Sequence, residues 1–442
     1  MYDRMQILTE KELDAIHKAS MKILGEIGVI FNDEESLKIF KDHNVKVEGK
    51  TVFFKEKVIR KSVESAPSLF TISARNPENN ITIGEDNYVC APGYGAPFVM
   101  EEDGRRREAT MEDYDTFCKM VHTSKYIDLN GFMMVEPSDR PAHTVHLDML
   151  FSSIVLCDKV FMGSPVPREG AQDAIKMAEM IWGKKDKIVN KPVMVSIINS
   201  LSPLKYSKEM SESLIEFARY GQPCIISSVI MAGSSGPIKL AGLLGLQNAE
   251  ILAGITLAQL VNPGTPVVYG SASSITDMRT GGLAIGAPEL SMIVLATAQM
   301  ARYYNLPSRA GGGLTDAHIP DIQAGIESAF ALISAVKNGI NFILHSCGIL
   351  SSYLSMSFSK FLIDEEMCGM VKKIFSPIEV TDESIDIKMI KDVGIGGEYI
   401  SQPKTLDLCR KELFLPDLMC RKNFYNWEKS GKKEQMKKHL KS

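Results

Sequence analysis

Hydrophobic and polar positions fall into two regimes along the chain. Thr9 followed by Glu12 is a capping box, and Leu13, Ile16, Ile23, Leu24 and Ile27 make an apolar stripe at helical spacing, which predicts a first helix. A second helix is expected from about Asp33, carrying Leu37, Ile39 and Phe40. VKVEGKTVFF then alternates about Glu48 and Gly49 as a hairpin does. A helix is expected over 55–65, followed by the strand-like runs LFTIS and NITIG. Residues 1–87 therefore predict a small α+β cap.

From about Tyr88 apolar runs of strand length alternate with helical stretches, as in a parallel sheet with crossover helices. Eight such runs occur, over 95–100, 129–136, 159–164, 193–199, 224–231, 266–272, 306–311 and 340–345. Helices between them are signalled by Thr110 before MEDYDTFCKMV, Pro167 opening REGAQDAIKMAEMIW and Ser207 before KEMSESLIEFARY. Eight β-α units predict an α/β fold, a closed (β/α)8 TIM barrel over 88–375, because closure removes both sheet edges. An open doubly wound sheet is the alternative. Beyond His345, helices are expected near 358–375 and 405–413, with a charged region over 382–391 between them. Residues 376–442 form a C-terminal helical extension whose basic end, RKNFYNWEKSGKKEQMKKHLKS, predicts a solvated terminal helix.

Composition narrows the partners. With 50 basic and 54 acidic residues in 442, the net charge of -4 supplies no field for nucleic acid or a membrane surface. The N-terminal MYDRMQILTEKEL lacks the apolar core of a secretory signal, so a cytoplasmic protein is expected. The most apolar run, 238–261, is interrupted by Lys239, Gln247, Asn248, Glu250 and Gln259, and predicts a buried helix, not a membrane span. Eight scattered cysteines with no CxxC pair indicate neither a zinc cluster nor a disulfide framework.

The stretch 309–350 carries the candidate chemistry. In a barrel, Arg309 and His345 would end neighbouring strands at the C-terminal mouth, where this fold holds its active sites. A guanidinium suits a substrate carboxylate. Gly311, Gly312 and Gly313 leave no side chains and would let a bulky group approach. Other strand ends present Asn199, Ser227 and Ser271, and Tyr94, Phe98 and Tyr353 flank the expected mouth, where rings could face a cation. His345 and Cys347 are only two potential metal ligands, so no metal site is expected. Near-matches to nucleotide loops at Gly93–Gly95 and Gly394–Gly397 fail in spacing or context, and no GxxxxGK[ST], HExxH or GxSxG occurs. DAHIP at 316–320 begins like the corrinoid-binding DxHxxG loop, but Asp321 stands where its glycine should be.

GGGLTDAHIPDIQAG followed by INFILHSCGIL resembles the trimethylamine methyltransferase family, and LTEKELDAIHKASMKILGEIGV resembles the same family's start. The resemblance implies a barrel enzyme that moves a methyl group from a methylated amine to the Co(I) of a corrinoid carried by a separate protein, with no cofactor permanently bound. The sequence has no pyrrolysine, and relatives without it use quaternary amines such as glycine betaine, proline betaine, carnitine or γ-butyrobetaine. On that reading Arg309, His345 and Asn199 form the catalytic set. Tyr94, Phe98, Ser227, Ser271, Gly312, Gly313, Asp316 and Tyr353 surround the substrate. Partners are then the small amine and a corrinoid protein, and the enzyme is expected to be a homo-oligomer. Two other readings stay open: a metal-assisted lyase or hydrolase using His345 with Asp316, and a non-catalytic betaine-binding protein.

Overall fold

The computed structural model describes residues 4–165 and 167–430, and the last part of the basic tail, 431–442, lies outside them. The chain divides into two compact units, Met1–Glu365 and Glu366–Ser442. In the first, eight parallel strands form one sheet: β1 (Val89–Cys90), β2 (Leu129–Asn130), β3 (Val160–Met162), β4 (Met194–Asn199), β5 (Cys224–Ser228), β6 (Val267–Ser271), β7 (Ser308–Gly311) and β8 (Phe342–Leu344). From β2 to β8 each strand pairs with its neighbours in sequence, and β8 pairs with β1, so the sheet closes into a barrel except for the seam between β1 and β2. Between β1 and β2 the seam is drawn together by the Asp128 N–H donating to the Cys90 carbonyl at 2.9 Å and the Cys90 N–H donating to Asp128 Oδ2 at 2.7 Å.

Helices follow the strands in turn: α1 (Met111–Thr123), α2 (Val145–Leu156), α3 (Arg168–Trp182), α4 (Lys208–Arg219), α5 (Leu240–Val261), α6 (Pro288–Tyr303), α7 (Ile322–Lys337) and α8 (Phe358–Ile374). Their starts obey local chemistry. Thr110 and Asp113 make a capping box, and Ser207 Oγ accepts from the Met210 N–H. Helix α5 is long and apolar enough to cross a membrane by those criteria, but 83% of its apolar window is buried inside the protein.

One expected strand is misplaced. The run over 95–100 is not in the barrel; Phe98–Met100 pairs antiparallel with Arg106–Glu108 and parallel with Ser355–Met356 in a small rim sheet. A turn at Gly104 (φ 82°) makes it half of a hairpin, and the two-residue β1 takes the barrel position because its N–H and C=O groups pair with β8. The cap contributes its own sheet, in which Val29–Phe31 lies beside Thr51–Phe53 and beside Lys205–Tyr206 from the loop after β4.

The second unit contains short helices at Asp382–Ile385, Ile387–Val393, Pro403–Glu412 and Phe424–Lys429. The terminal helix expected from the basic end is present in its first part as Phe424–Lys429; the remainder lies outside the described residues.

Candidate functional site at the barrel mouth

Strand register assembles the site. Asn199, Ser227, Gly270 and Arg309 are direct register partners across β4, β5, β6 and β7, so they form one row at the C-terminal end of the sheet. Gly270 is the gap in that row. An added Cβ there would lie 3.0 Å from Ser227 Cβ and 2.9 Å from the Ile226 carbonyl. Without it the Arg309 side chain passes over β6, and Nη1 donates to Ser227 Oγ at 3.3 Å and to the Ser271 carbonyl at 2.6 Å. The Ser271 hydroxyl is turned away and donates to Gln247 Oε1 at 2.7 Å.

Arg309 is 1% exposed, and its Nε has no hydrogen-bond partner. No carboxylate pairs with it among the described residues, and burial pushes the guanidinium down to about 10. Two more buried polar atoms in the row and the adjoining loop are also unmatched: Asn199 Oδ1 and the Tyr94 hydroxyl. Buried polar groups are nearly always satisfied, so these unmatched atoms at a barrel mouth mark a candidate ligand site.

His345 follows β8 in a left-handed conformation (φ 57°) that costs a non-glycine residue about 1 kcal/mol. Backbone bonds from His345 N–H to the Pro92 carbonyl and from Ser346 N–H to the Ala91 carbonyl hold it there, at 3.1 and 2.8 Å. The Tyr94 N–H donates to His345 Nδ1 at 3.2 Å. Burial and the nearby Arg309 hold the imidazole well below its ordinary range, so the ring is neutral and its proton sits on Nε2. The Tyr353 ring packs on the imidazole at 4.7 Å, and burial pushes its hydroxyl up to about 12.

Tyr353 ends three consecutive left-handed residues, Ser351 (φ 53°), Ser352 (φ 52°) and Tyr353 (φ 78°). The DAHIP loop holds this strained turn. Asp316 accepts from the Ser352 hydroxyl at 2.6 Å, and from the Ile285 and Gly286 N–H groups at 2.9 and 2.8 Å. His318 Nδ1 lies 2.9 Å from Ser351 Oγ. Asp316, expected beside the substrate, is thereby committed to bracing the loop that carries Tyr353.

Two other expectations change for packing reasons. Phe98 sits in the rim sheet with the Arg106 guanidinium 4.3 Å over its ring, so its face already meets a cation. Gly312 and Gly313, expected to give clearance, are fully packed: added Cβ atoms would meet Ile343 Cγ2 at 2.7 Å and the Ser346 carbonyl at 2.6 Å. Their smallness lets β7 lie against the turn that carries His345.

Sequence reasoning missed the supports beneath the row. Glu250 of α5, 0% exposed, accepts from the Ser200, Ser202 and Ser228 hydroxyls and the Leu204 N–H at 2.5–2.8 Å, tying together the ends of β4 and β5. A carboxylate inside the apolar 238–261 run was the available signal. A buried pair on α8, Lys360 with Asp364, backs the His345 turn, where Asp364 accepts from the Gly348 N–H at 2.9 Å. Among the described residues, no three His, Cys, Asp or Glu side chains are grouped as metal ligands, so the alternative reading of His345 with Asp316 as a metal centre finds no such cluster there.

Residues 1–441 match the family described as trimethylamine methyltransferase. The chain belongs to that family. It is 46% identical over 99% of its length to the glycine betaine methyltransferase of Desulfitobacterium hafniense strain Y51, covering 91% of that protein. It is 33% identical to the proline betaine:corrinoid methyltransferase of Eubacterium limosum, over 90% of this chain and 84% of the other. The monomethylamine methyltransferase of Methanosarcina barkeri shares the fold, with a TM-score of 0.52, 12% identity, and coverage of 87% of this chain and 78% of that one. This family member is thus a methyltransferase with a nearly closed (β/α)8 barrel.

Proposed function

We propose that the enzyme takes a methyl group from a carboxylated quaternary amine, glycine betaine or a near relative, and passes it to the Co(I) corrinoid of a separate protein. Arg309 is the observation that carries this reading: a buried guanidinium with an unbonded Nε and no carboxylate partner among the described residues. An isolated buried cation is costly, and a substrate carboxylate removes the cost by forming charge-assisted bonds. Trimethylamine has no such group. Relatives named for glycine betaine and proline betaine support the same substrate class.

The residues divide the work. Arg309 and the Nε2–H of His345 hold the carboxylate, and the Asn199 amide can turn its NH2 to the same group. Tyr94 and Tyr353 present rings to the ammonium. The C–N bond breaks with its electron pair left on nitrogen, giving a neutral tertiary amine, while the acceptor supplies the pair for the new bond. No proton needs to move, which suits a site whose histidine is neutral and whose tyrosines stay protonated. The protein's part is alignment and exclusion of water.

The test is to mix purified protein with chemically reduced cobalamin and a panel of glycine betaine, proline betaine, carnitine, γ-butyrobetaine, tetramethylammonium and trimethylamine, and to follow methylcobalamin by absorbance. Product from carboxylated quaternary donors is expected. No product with any donor sinks the proposal, and turnover confined to trimethylamine removes the role given to Arg309.

A further inference from the structure

Two charges that the methyl transfer does not use are sealed from water on α8. Lys360 and Asp364, one helical turn apart, are each 1% exposed and pair with one another. Each also reaches a different turn at the barrel mouth. Lys360 Nζ donates to Ser328 Oγ of α7 at 2.8 Å, and that hydroxyl donates to the Leu314 carbonyl at 3.4 Å, in the turn that follows Arg309 and β7. Asp364 Oδ2 accepts from the Gly348 N–H at 2.9 Å, in the turn that follows β8 and begins at His345. Both turns close on the same carboxylate, since a Cβ added to Gly313 would lie 3.3 Å from Asp364 Oδ2.

A buried ion pair is a poor way to stabilise a fold. Taking both charges out of water offsets their attraction, and apolar side chains of similar volume usually serve as well. Burial pushes the Asp364 carboxyl above its ordinary range even though Lys360 and the Gly348 N–H draw it down. What apolar side chains cannot do is hold a backbone N–H at a fixed point, as a carboxylate does. Gly348 is such a point. It is left-handed (φ 91°) and its carbonyl accepts from the Ser357 N–H at 3.0 Å, so it closes the base of the loop that carries Tyr353, three residues after His345.

We propose that Lys360 and Asp364 are positioning residues for the methyl donor, a strut that sets the spacing between Arg309 and His345 by tying the turns after β7 and β8 to one place on α8. The role rests on the reading in which Arg309 and His345 hold the donor's carboxylate. Displacing either turn then weakens the grip on a carboxylated donor and leaves tetramethylammonium, which has no carboxylate, untouched. A brace that served stability alone would show no such preference.

Titration calorimetry with glycine betaine and with tetramethylammonium, beside thermal unfolding, tests this on the wild type and two double variants. Lys360→Met with Asp364→Leu removes both charges at similar volume and leaves the Gly348 N–H without its acceptor. It is expected to melt close to the wild type, and to bind glycine betaine about 10- to 100-fold more weakly with its affinity for tetramethylammonium unchanged. Lys360→Met with Asp364→Asn returns an acceptor to Gly348 without either charge, and is expected to recover part of the loss. Wild-type affinity for glycine betaine in the Met and Leu variant overturns the proposal, as does equal weakening for both ligands. Unfolding of both double variants also overturns it, by making the pair a stability device. A wild type that binds glycine betaine no better than tetramethylammonium strikes the substrate reading and this role together, whereas a wild type that prefers glycine betaine beside variants that keep the preference strikes this role alone.

Discussion

Replacing Arg309 by Met keeps much of the side chain's length and removes its charge. Burial lowers the guanidinium from an ordinary 12.5 to about 10, and at about 1.36 kcal/mol per pH unit this places on the order of 3 kcal/mol on the charged form. At neutral pH the group is still protonated, so the free enzyme carries that cost in full. The substitution removes it, while leaving the Ser271 carbonyl without its donor, which costs about 1–3 kcal/mol. Stability of the free protein should therefore change little, unlike the ~2–5 kcal/mol lost when an ordinary large core side chain is cut back. Betaine binding should suffer instead. Loss of on the order of 3 kcal/mol corresponds to about 100-fold in Kd. Titration calorimetry with glycine betaine and with tetramethylammonium, beside thermal unfolding of the free protein, separates the effects. Affinity for glycine betaine should fall about 100-fold and that for tetramethylammonium far less. Equal losses for both ligands, or a strongly destabilised protein with unaltered betaine affinity, would make Arg309 a brace of the barrel and refute the reasoning.

Three further outcomes follow from neighbouring groups. The folded-state His345 value lies well below its ordinary 6.5, so its contribution to stability is present above about 6.5 and is lost as pH falls through that depressed value; melting temperatures should drop on acidification. Asp316→Ala leaves the Ser352 hydroxyl and the Ile285 and Gly286 N–H groups without their acceptor and should lower kcat/KM about 10- to 100-fold, with rescue by Asp316→Asn smaller than full because the amide accepts fewer bonds. Glu250→Gln should lower unfolding free energy by about 2–4 kcal/mol in denaturant titrations, since the amide NH2 would face hydroxyl and N–H donors.

The chain's own pattern determined the barrel architecture. Alternating apolar runs and capped helices specify β-α units, because burial on both faces of a parallel strand leaves a continuous apolar run that survives in any sequence context. The strand-end positions of Arg309, His345 and Asn199 were legible for the same reason: a polar residue closing such a run comes to the barrel mouth. Short elements were not legible. Val89–Cys90 is too brief to carry a period, and its strand character comes from hydrogen bonds to β8, whereas Phe98–Met100 carries a strand pattern that belongs to a rim hairpin. Tertiary structure alone decided which groups meet. Register placed Gly270 between Ser227 and Arg309, left Arg309 without a carboxylate, turned Asp316 from substrate to scaffold, and brought Glu250 beneath two strand ends. Those are contacts between residues tens of positions apart, and local sequence holds the capacity to form them without naming the partner.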